Sequence, residues 1–176
     1  MRKLQSNELG RKTISEYKNI SKLNICLVLN NIRSMYNVGA IFRSADAFLI
    51  ERIILTGITP QPPHREIYKT ALGSTESVTW SYEKEIINAL KKLNNENYVI
   101  IGIEQTDTSI ELNNIKINKE KKYALVFGNE VEGISDNALK LVDYCIEIPQ
   151  FGTKHSLNVS VAAGIILYEF TIRCLY

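Results

Sequence analysis

The sequence predicts a single α/β domain built around a parallel sheet, and three observations lead to this fold class. Short apolar runs bounded by polar or turn residues are typical of buried strands, and they occur at residues 24–30, 52–56, 98–103 and 123–127. Segments with helical spacing of apolar residues alternate with these runs, which indicates a parallel sheet covered by helices. A chain of 176 residues with 45% hydrophobic content is long enough to bury one sizeable core.

The other elements are expected in the following order. Residues 37–48 have helical spacing, with Asn37 as the expected N-cap. The second strand leads into a proline-rich loop at residues 57–65, and the Lys69–Gly73 segment is also expected to be a loop. The remaining predictions are a short strand at 77–80, an amphipathic helix at 82–93, a short helix at 136–141, a last strand at 145–148 and a closing helix at 158–175.

The segment from Ile148 to Glu169 is the most informative part of the chain. A polar loop from Gly152 to Asn158 runs directly into a helix that is apolar on every side, so we expect the helix to be buried. Ser156 and Asn158 stand where the unpaired amides of a helix N-terminus begin. A loop held by a buried helix, with polar side chains at the junction, predicts a binding site.

Three polar loops follow predicted strands, at residues 30–37, 128–133 and 149–158. Ligands of parallel sheets bind beyond the carboxyl ends of the strands, so these loops should converge on one crevice. Residues 128–133 form neither a Walker A loop nor a dinucleotide fingerprint, because the required Gly-Lys-Ser/Thr and GxGxxG patterns are absent. Taken alone, this stretch fits a sharp turn with solvated glutamates equally well.

Charge and cysteine content limit the function classes further. Residues 1–22 hold six basic and two acidic side chains, whereas the whole chain carries a formal charge of +2. Such a basic segment fits either a phosphate backbone or a solvated terminus. Cys26, Cys145 and Cys174 are far apart and the chain has two histidines, so we expect core thiols in a reducing cytoplasm and no metal site. No apolar run reaches the roughly 20 residues that cross a bilayer.

Several basic side chains are candidates for contact with nucleic acid. Arg43 lies among apolar neighbours in the sequence, where a guanidinium needs an anionic partner, either a ligand or a carboxylate such as Asp46. Arg65 and Lys69 flank a segment with few acids, and Arg11 and Lys12 belong to the basic segment. Each of these observations is weak by itself.

Together the three loops resemble the motifs of the SpoU (TrmH-like) branch of the SPOUT methyltransferases. The first motif matches NVGAIFR at Asn37–Arg43, the second FGNEVEGIS at Phe127–Ser135, and the third the segment Ile148–Glu169. The resemblance extends from about residue 25 to residue 169, with the motifs in the family's order. It divides the chain into a basic N-terminal segment, residues 1–22, and a SpoU methyltransferase domain, residues 23–176.

The resemblance implies an RNA ribose 2′-O-methyltransferase that uses S-adenosylmethionine, forms a homodimer and has a C-terminal trefoil knot. It implies cofactor contacts for Gly128, Ile148 and Leu157. The implied catalytic positions are Asn37, Arg43, Glu130, Ser156 and Asn158. His155 is not part of the pattern and is interpreted as incidental. Transfer RNA is the favoured substrate, with ribosomal RNA as the alternative.

A guanidinium is effectively always protonated, so we expect Arg43 to hold a phosphate and stabilise the developing alkoxide rather than to act as a base. Glu130 is expected to orient Arg43 through a charge-assisted hydrogen bond. Three other functions remain open at this stage. They are a non-catalytic RNA-binding protein on the same fold, a SPOUT base methyltransferase, and an α/β enzyme that acts on a small molecule.

Overall fold

Seven strands form one sheet in the part of the chain that the computed structural model describes, residues 1–5 and 8–175. Residues 6 and 7 of the predicted basic segment and residue 176 of the predicted domain lie outside this part. The strands are β1 (Leu23–Asn30), β2 (Ile50–Thr56), β3 (Thr79–Glu83), β4 (Tyr98–Ile103), β5 (Ile110–Glu111), β6 (Lys122–Phe127) and β7 (Tyr144–Glu147). Every pairing is parallel. The predicted α/β fold with a parallel sheet is therefore confirmed.

The order of the strands across the sheet is β3-β2-β1-β6-β4-β7-β5. The strand β6 comes late in the chain but pairs with β1 on one side and β4 on the other. Four neighbouring strands, β1, β6, β4 and β7, therefore end side by side at one edge, and the loops that follow them meet there. The trefoil knot implied by the resemblance stays a prediction.

Helices cover both faces of the sheet. They are α1 (Ile14–Asn19), α2 (Met35–Ala47), α3 (Arg65–Ala71), α4 (Ser74–Ser77), α5 (Ile86–Asn95), α6 (Asp136–Leu139) and α7 (Val159–Leu175). Side chains of β1 alternate between two hydrophobic clusters, with Ile25, Leu27 and Leu29 in one and Cys26 and Val28 in the other. The first cluster also includes residues of α2 and α7, and the second includes residues of α5 and α6. Burial on both faces explains why residues 25–29 of this strand are all apolar.

The prediction that Asn37 caps the first long helix is wrong. The strand β1 ends at Asn30, and the helix begins at Met35 with Ser34 as its N-cap. The Ser34 hydroxyl accepts a hydrogen bond from the Asn37 amide at 3.2 Å. Serine is among the best N-caps, so the helix starts at Met35 and Asn37 lies in its first turn. This position leaves the Asn37 side chain free to contact other loops.

The boundaries of two other elements also differ from the predictions. Lys69 lies in the helix α3 rather than in a loop, and this helix starts after His64, whose Nδ1 accepts the Glu66 amide at 3.2 Å. The helix predicted at 82–93 begins at Ile86, because Tyr82 extends β3, which pairs with β2. In both cases a local cap or a strand pairing, neither visible in the hydrophobic period, sets the boundary.

The closing helix α7 is buried on one face, contrary to the prediction that it is buried on every side. The buried face carries Ala163, Ile166, Leu167 and Phe170. The opposite face exposes five apolar side chains, Val161, Ile165, Tyr168, Ile172 and Leu175. No helix in the described residues is long and apolar enough to cross a membrane. The exposed stripe is an apolar surface of the single chain.

The three cysteines are free thiols, and Cys26 and Cys145 are buried as expected for core residues. Burial raises the pKa of the Cys26 thiol to about 12, which keeps it protonated and unreactive. Within residues 1–5 and 8–175, no group of three or more histidine, cysteine, aspartate or glutamate side chains is arranged to hold a metal ion.

Candidate active site

Glu130, in the loop after β6, joins that loop to the start of α2. Its carboxylate accepts hydrogen bonds from the backbone amides of Arg33 at 3.2 Å and Ser34 at 3.4 Å. The same carboxylate accepts a bond from Nδ2 of Asn37 at 3.2 Å. Partial burial acts to raise the pKa of the Glu130 carboxyl, but these hydrogen bonds outweigh it, and the pKa lies below its ordinary value. Glu130 is therefore held as a carboxylate.

Asn37 extends this link to the third motif. Its Oδ1 accepts a hydrogen bond from Nδ2 of Asn158 at 3.1 Å. Oδ1 of Asn158 in turn accepts the amide of Ser160 at 2.9 Å and that of Val161 at 3.4 Å, so Asn158 caps α7. A continuous chain of side chains, Glu130–Asn37–Asn158, connects the three loops that were predicted to converge. The predicted convergence is confirmed for these residues.

The loop after β6 is a tight hairpin that depends on two glycines. Asn129 and Gly133 exchange backbone hydrogen bonds of 3.0 and 2.9 Å. A Cβ on Gly128 would lie 2.3 Å from the carbonyl carbon of Gly133, and Gly133 itself has a φ of +67°. Side chains at either position would force the hairpin open.

Asn129 is a structural side chain of this hairpin that the sequence analysis missed. Its Oδ1 accepts the amides of Val131 and Glu132, at 2.9 and 3.1 Å. Its Nδ2 donates to the carbonyl of Asn31 at 2.7 Å, which ties the hairpin to the end of β1. The side chain is buried and its hydrogen-bonding groups are all engaged with backbone, so we assign it to loop architecture.

A cavity of about 480 Å³ opens beside these loops. We call it the acid-lined cavity. Six of the predicted site residues line it: Gly128, Glu130, Ile148, Ser156, Leu157 and Asn158. His155, interpreted from sequence as incidental, also lies in its wall, together with Glu104, Gln105 and Glu147, which the sequence analysis did not single out.

Glu104 and Gln105 directly follow β4, and each forms a hydrogen bond to a neighbouring loop. The Glu104 carboxylate accepts the amide of Ile134, in the hairpin after β6, at 3.0 Å. The Gln105 side chain donates to the carbonyl of His155 in the loop after β7 at 3.1 Å. These residues follow a predicted strand, so the rule that ligands bind beyond strand ends would have found them if it had been applied to every strand.

The acid-lined cavity has a negative electrostatic character. Glu104, Glu130 and Glu147 contribute carboxylates to its wall, and among the described residues that line it there is no lysine or arginine. Coulombic attraction in a partly enclosed site of this kind favours a ligand that carries positive charge. A polyphosphate would be repelled.

Arg43 does not line this cavity. Its side chain is exposed and lies on a second cavity of about 660 Å³, whose wall also includes Arg11, Lys12, Tyr17 and Asp46. We call this the basic cavity. The expected hydrogen bond between Glu130 and Arg43 is wrong, because Glu130 is engaged with Asn37 and the start of α2. The alternative pairing with Asp46 is not found in the described residues either; Asp46 instead accepts from the Ser77 hydroxyl.

The other cations predicted to bind RNA are all at the surface. Lys69 forms an ion pair with Glu66 at 2.8 Å, which balances its charge locally. Arg65 is exposed at the first position of α3. Arg11 and Lys12 are exposed and share the basic cavity with Arg43. Three of the five predicted RNA-binding residues are therefore brought together, and two lie on α3.

Comparison with protein families identifies the chain. Residues 24–168 match the model described as the SpoU rRNA methylase family. The chain belongs to this SpoU family. It is 32% identical over 152 residues to the 23S rRNA (guanosine-2′-O-)-methyltransferase RlmB of Neisseria meningitidis, a match that covers 86% of this chain and 60% of that protein. The chain thus spans less than two thirds of that relative's length.

Two solved structures share the fold of this chain. The TrmH/SpoU tRNA modifying enzyme of A. aeolicus has a TM-score of 0.80 and 26% identity, over 91% of this chain and 80% of that one. An AdoMet-bound rRNA methyltransferase from Sinorhizobium meliloti has a TM-score of 0.77 and 25% identity, over 85% of this chain and 59% of that one. The likeness in both cases extends over most of this chain.

Proposed function

We propose that this SpoU-family protein is an RNA methyltransferase that transfers a methyl group from S-adenosylmethionine to a ribose 2′-hydroxyl. The observation that carries the proposal is the chain of hydrogen bonds Glu130–Asn37–Asn158, which joins all three family motifs beside one small cavity. The names of the relatives support the same reaction, since one is a guanosine-2′-O-methyltransferase and another is an AdoMet-bound enzyme.

The acid-lined cavity fits the cofactor in size and charge. Small-molecule sites have volumes of roughly 300–1,000 Å³, and this cavity measures about 480 Å³. S-adenosylmethionine carries a sulfonium and an ammonium group, which suit a wall that contains Glu104, Glu130 and Glu147. We propose that Gly128, whose missing side chain lets the hairpin close tightly beside the cavity, holds the cofactor together with Ile148 and Leu157.

When bound, the cofactor supplies a methyl group already activated on a sulfonium. The bond between that carbon and sulfur breaks as the bond to the 2′-oxygen forms, and the hydroxyl proton leaves to phosphate or water. The protein aligns the ribose, which proximity rewards with several kcal/mol. Asn37, Ser156 and Asn158 position the nucleotide and the loops, and Glu130 holds Asn37 in place.

We propose that Arg43 serves the RNA rather than the cofactor. It lies on the basic cavity with Arg11 and Lys12, and none of these three cations has a carboxylate partner within the described residues. Mutual repulsion among neighbouring cations is relieved by a polyanion. An RNA phosphate bound there would be held by the guanidinium, and Arg43 stabilises the developing alkoxide only where the homodimer proposed below brings this cavity to the acid-lined cavity of the second subunit.

We propose that the protein acts as a homodimer, with RNA contacts drawn from both subunits. The apolar stripe of α7, in which Val161 is 51% and Tyr168 55% exposed, is the surface that a second copy would cover. Light scattering at micromolar concentration tests this. We expect a dimer for the wild type and Lys91→Ala, and a monomer for Ile165→Lys; a monomeric wild type would contradict the proposal.

The favoured substrate is tRNA, with rRNA as the alternative, and the proposed location is the cytoplasm, where both RNA classes and the cofactor are available. Deletion of residues 1–22 is a poor test of RNA binding, because Tyr17 is 5% exposed and belongs to the core. The double variant Arg11→Ala/Lys12→Ala removes the charges alone. We expect it to weaken RNA binding and flatten its salt dependence without changing cofactor affinity.

The decisive experiment measures transfer of labelled methyl from S-adenosylmethionine to unmodified tRNA and rRNA fractions, followed by nuclease mapping. Label in a 2′-O-methylated dinucleotide from either fraction is the expected result and identifies the RNA class. Label in a base would instead indicate base methylation. Cofactor binding without transfer to either RNA would support a non-catalytic RNA-binding protein, and turnover that is insensitive to RNA would indicate a small-molecule enzyme.

A further inference from the structure

Phe151 is an aromatic side chain with almost no contact to the protein. It is 97% exposed, which is more than any other large apolar side chain between residues 8 and 175. It belongs to the segment from Gln150 to Asn158, which we call the Phe151 loop, and residues 151–158 are all exposed. Full hydration of a phenyl ring is unfavourable, and the fold obtains no packing from it in return.

The Phe151 loop borders the acid-lined cavity. Gln150, Ser156 and Leu157 from this loop line the cavity wall. Val131, on the hairpin after β6, also lines the cavity and is 81% exposed. Two largely hydrated apolar side chains, Phe151 and Val131, therefore lie on two loops that contribute residues to the cavity wall.

Hydrogen bonds hold the second half of the loop even though its surface is exposed. The Gln105 side chain donates to the carbonyl of His155 at 3.1 Å. Asn158 caps α7 and is bonded to Asn37. Contacts to the end of β4 and the starts of α2 and α7 thus position the loop that carries Phe151, and packing of the ring does not.

The charge of the loop narrows the choice of partner. Lys154 lies three residues after Phe151, is exposed, and forms no ion pair with the described residues. An unpacked aromatic ring and an unpaired cation, three residues apart on one exposed loop, suit single-stranded nucleic acid, in which bases stack on rings and phosphates attract cations. A purely apolar protein surface would use the ring but leave the lysine charge without a partner.

We infer that Phe151 stacks on a base of the RNA substrate next to the methylated ribose, with Lys154 contacting the adjacent phosphate. This inference rests on the proposed function, because it takes RNA as the molecule that reaches the cavity. Every base has a π-face, so the ring contributes grip and orientation of the nucleotide rather than base identity.

Three substitutions separate stacking from simple apolar contact. With the unmodified tRNA or rRNA fraction that is methylated as the substrate, Phe151→Ala and Phe151→Leu are expected to raise KM for RNA about 10-fold or more, while Phe151→Tyr stays near the wild type. Affinity for S-adenosylmethionine is expected to stay within about twofold in all three. Leucine that works as well as phenylalanine would overturn the inference, and loss of the dimer by light scattering in Phe151→Leu or Phe151→Ala would identify a second copy as the partner instead.

Fluorescence provides a test that does not depend on methyl transfer. The chain has one tryptophan, Trp80, on β3 at the far end of the sheet. In the Phe151→Trp/Trp80→Phe variant we expect quenching when unmodified RNA is added, whereas the native Trp80 of the wild type serves as the control and should change little.

The two measurements distinguish failure of the inference from failure of the proposed function. Methyl transfer by the wild type without quenching at position 151 would overturn the stacking role and leave the reaction standing. Quenching without methyl transfer to any RNA fraction would support the RNA contact and count against the proposed enzyme. Quenching of Trp80 to the same extent would contradict a contact specific to Phe151.

Discussion

The acid-lined cavity and the basic cavity differ in how their polar side chains are held. Glu130 and Asn37 beside the first are joined to each other and to the neighbouring loops by hydrogen bonds of 3.1–3.4 Å. Arg43 and Lys12 on the second are exposed and without carboxylate partners in the described residues. One cavity is preorganised by the fold, and the other presents charge on free side chains.

This difference matches two kinds of ligand. A small cofactor with fixed geometry gains affinity from a wall that need not be ordered on binding. A long polyanion is attracted by charge over a distance and tolerates mobile lysine and arginine side chains. We therefore expect substitutions in the hydrogen-bonded wall of the acid-lined cavity to change cofactor binding, and those on the basic cavity to change only steps that involve RNA.

The largest effect is expected for Arg43→Lys. Lysine keeps the positive charge but not the planar fork of donors, so we expect kcat to fall roughly 100-fold or more while S-adenosylmethionine affinity is unchanged. Methyl transfer and cofactor titration measure the two quantities. Lys91→Ala, an exposed cation on α5, is the control and should match the wild type. Loss of cofactor binding in Arg43→Lys would erase the contrast between the cavities.

Gly128→Ala tests whether the acid-lined cavity is preorganised by the hairpin after β6. The added Cβ would lie 2.3 Å from the carbonyl carbon of Gly133, so the hairpin must open. Distortion of this kind costs about 1–3 kcal/mol, and we expect the Kd for S-adenosylmethionine to rise about 10-fold or more. Gly152→Ala places a Cβ in open space and serves as the control. Equal affinity of the two variants in a binding titration would contradict the role of the hairpin.

Gln105→Ala is expected to have a smaller effect on the same quantity. It removes the 3.1 Å hydrogen bond to the His155 carbonyl, whose net contribution is about 1 kcal/mol, so Kd for the cofactor should rise about fivefold. Gln61→Ala is the matched control, since Gln61 is exposed and its side chain makes no hydrogen bond with the described residues. A Kd equal to that of the control would mean that the Phe151 loop is positioned without Gln105.

The smallest effect concerns how the stability contributed by Glu130 depends on pH. Its folded-state pKa lies below the ordinary value of 4.5, so its hydrogen bonds stabilise the fold above that value and are lost as the pH falls through the folded-state pKa. The difference in unfolding free energy between wild type and Glu130→Gln should therefore be constant from about pH 5 to 7 and shrink below pH 4.5. Denaturant titrations measure it, with Glu132→Gln as control. A difference in unfolding free energy that grows as the pH falls would contradict a lowered pKa for Glu130 in the folded state.

Much of the fold was predictable because strands and helices depend on patterns within short stretches of the sequence. Residues 25–29 are apolar at every position because β1 is buried on both faces, and this pattern identified a parallel sheet. The motif at residues 148–158 predicted Asn158 at the start of the closing helix, where it is found. The start of α2 was misplaced because a serine cap leaves no trace in the hydrophobic period.

The sequence by itself determined the fold class, the family and the loops that carry the site. Only the tertiary structure decided which side chains meet: Glu130 is bonded to Asn37 rather than to Arg43, Glu104 and Gln105 support loops far from them in sequence, and one face of α7 is left exposed. The physical reason is the distance along the chain over which each effect acts. Caps, periodicity and motifs act within a few residues, whereas partners of polar side chains depend on which strands end side by side.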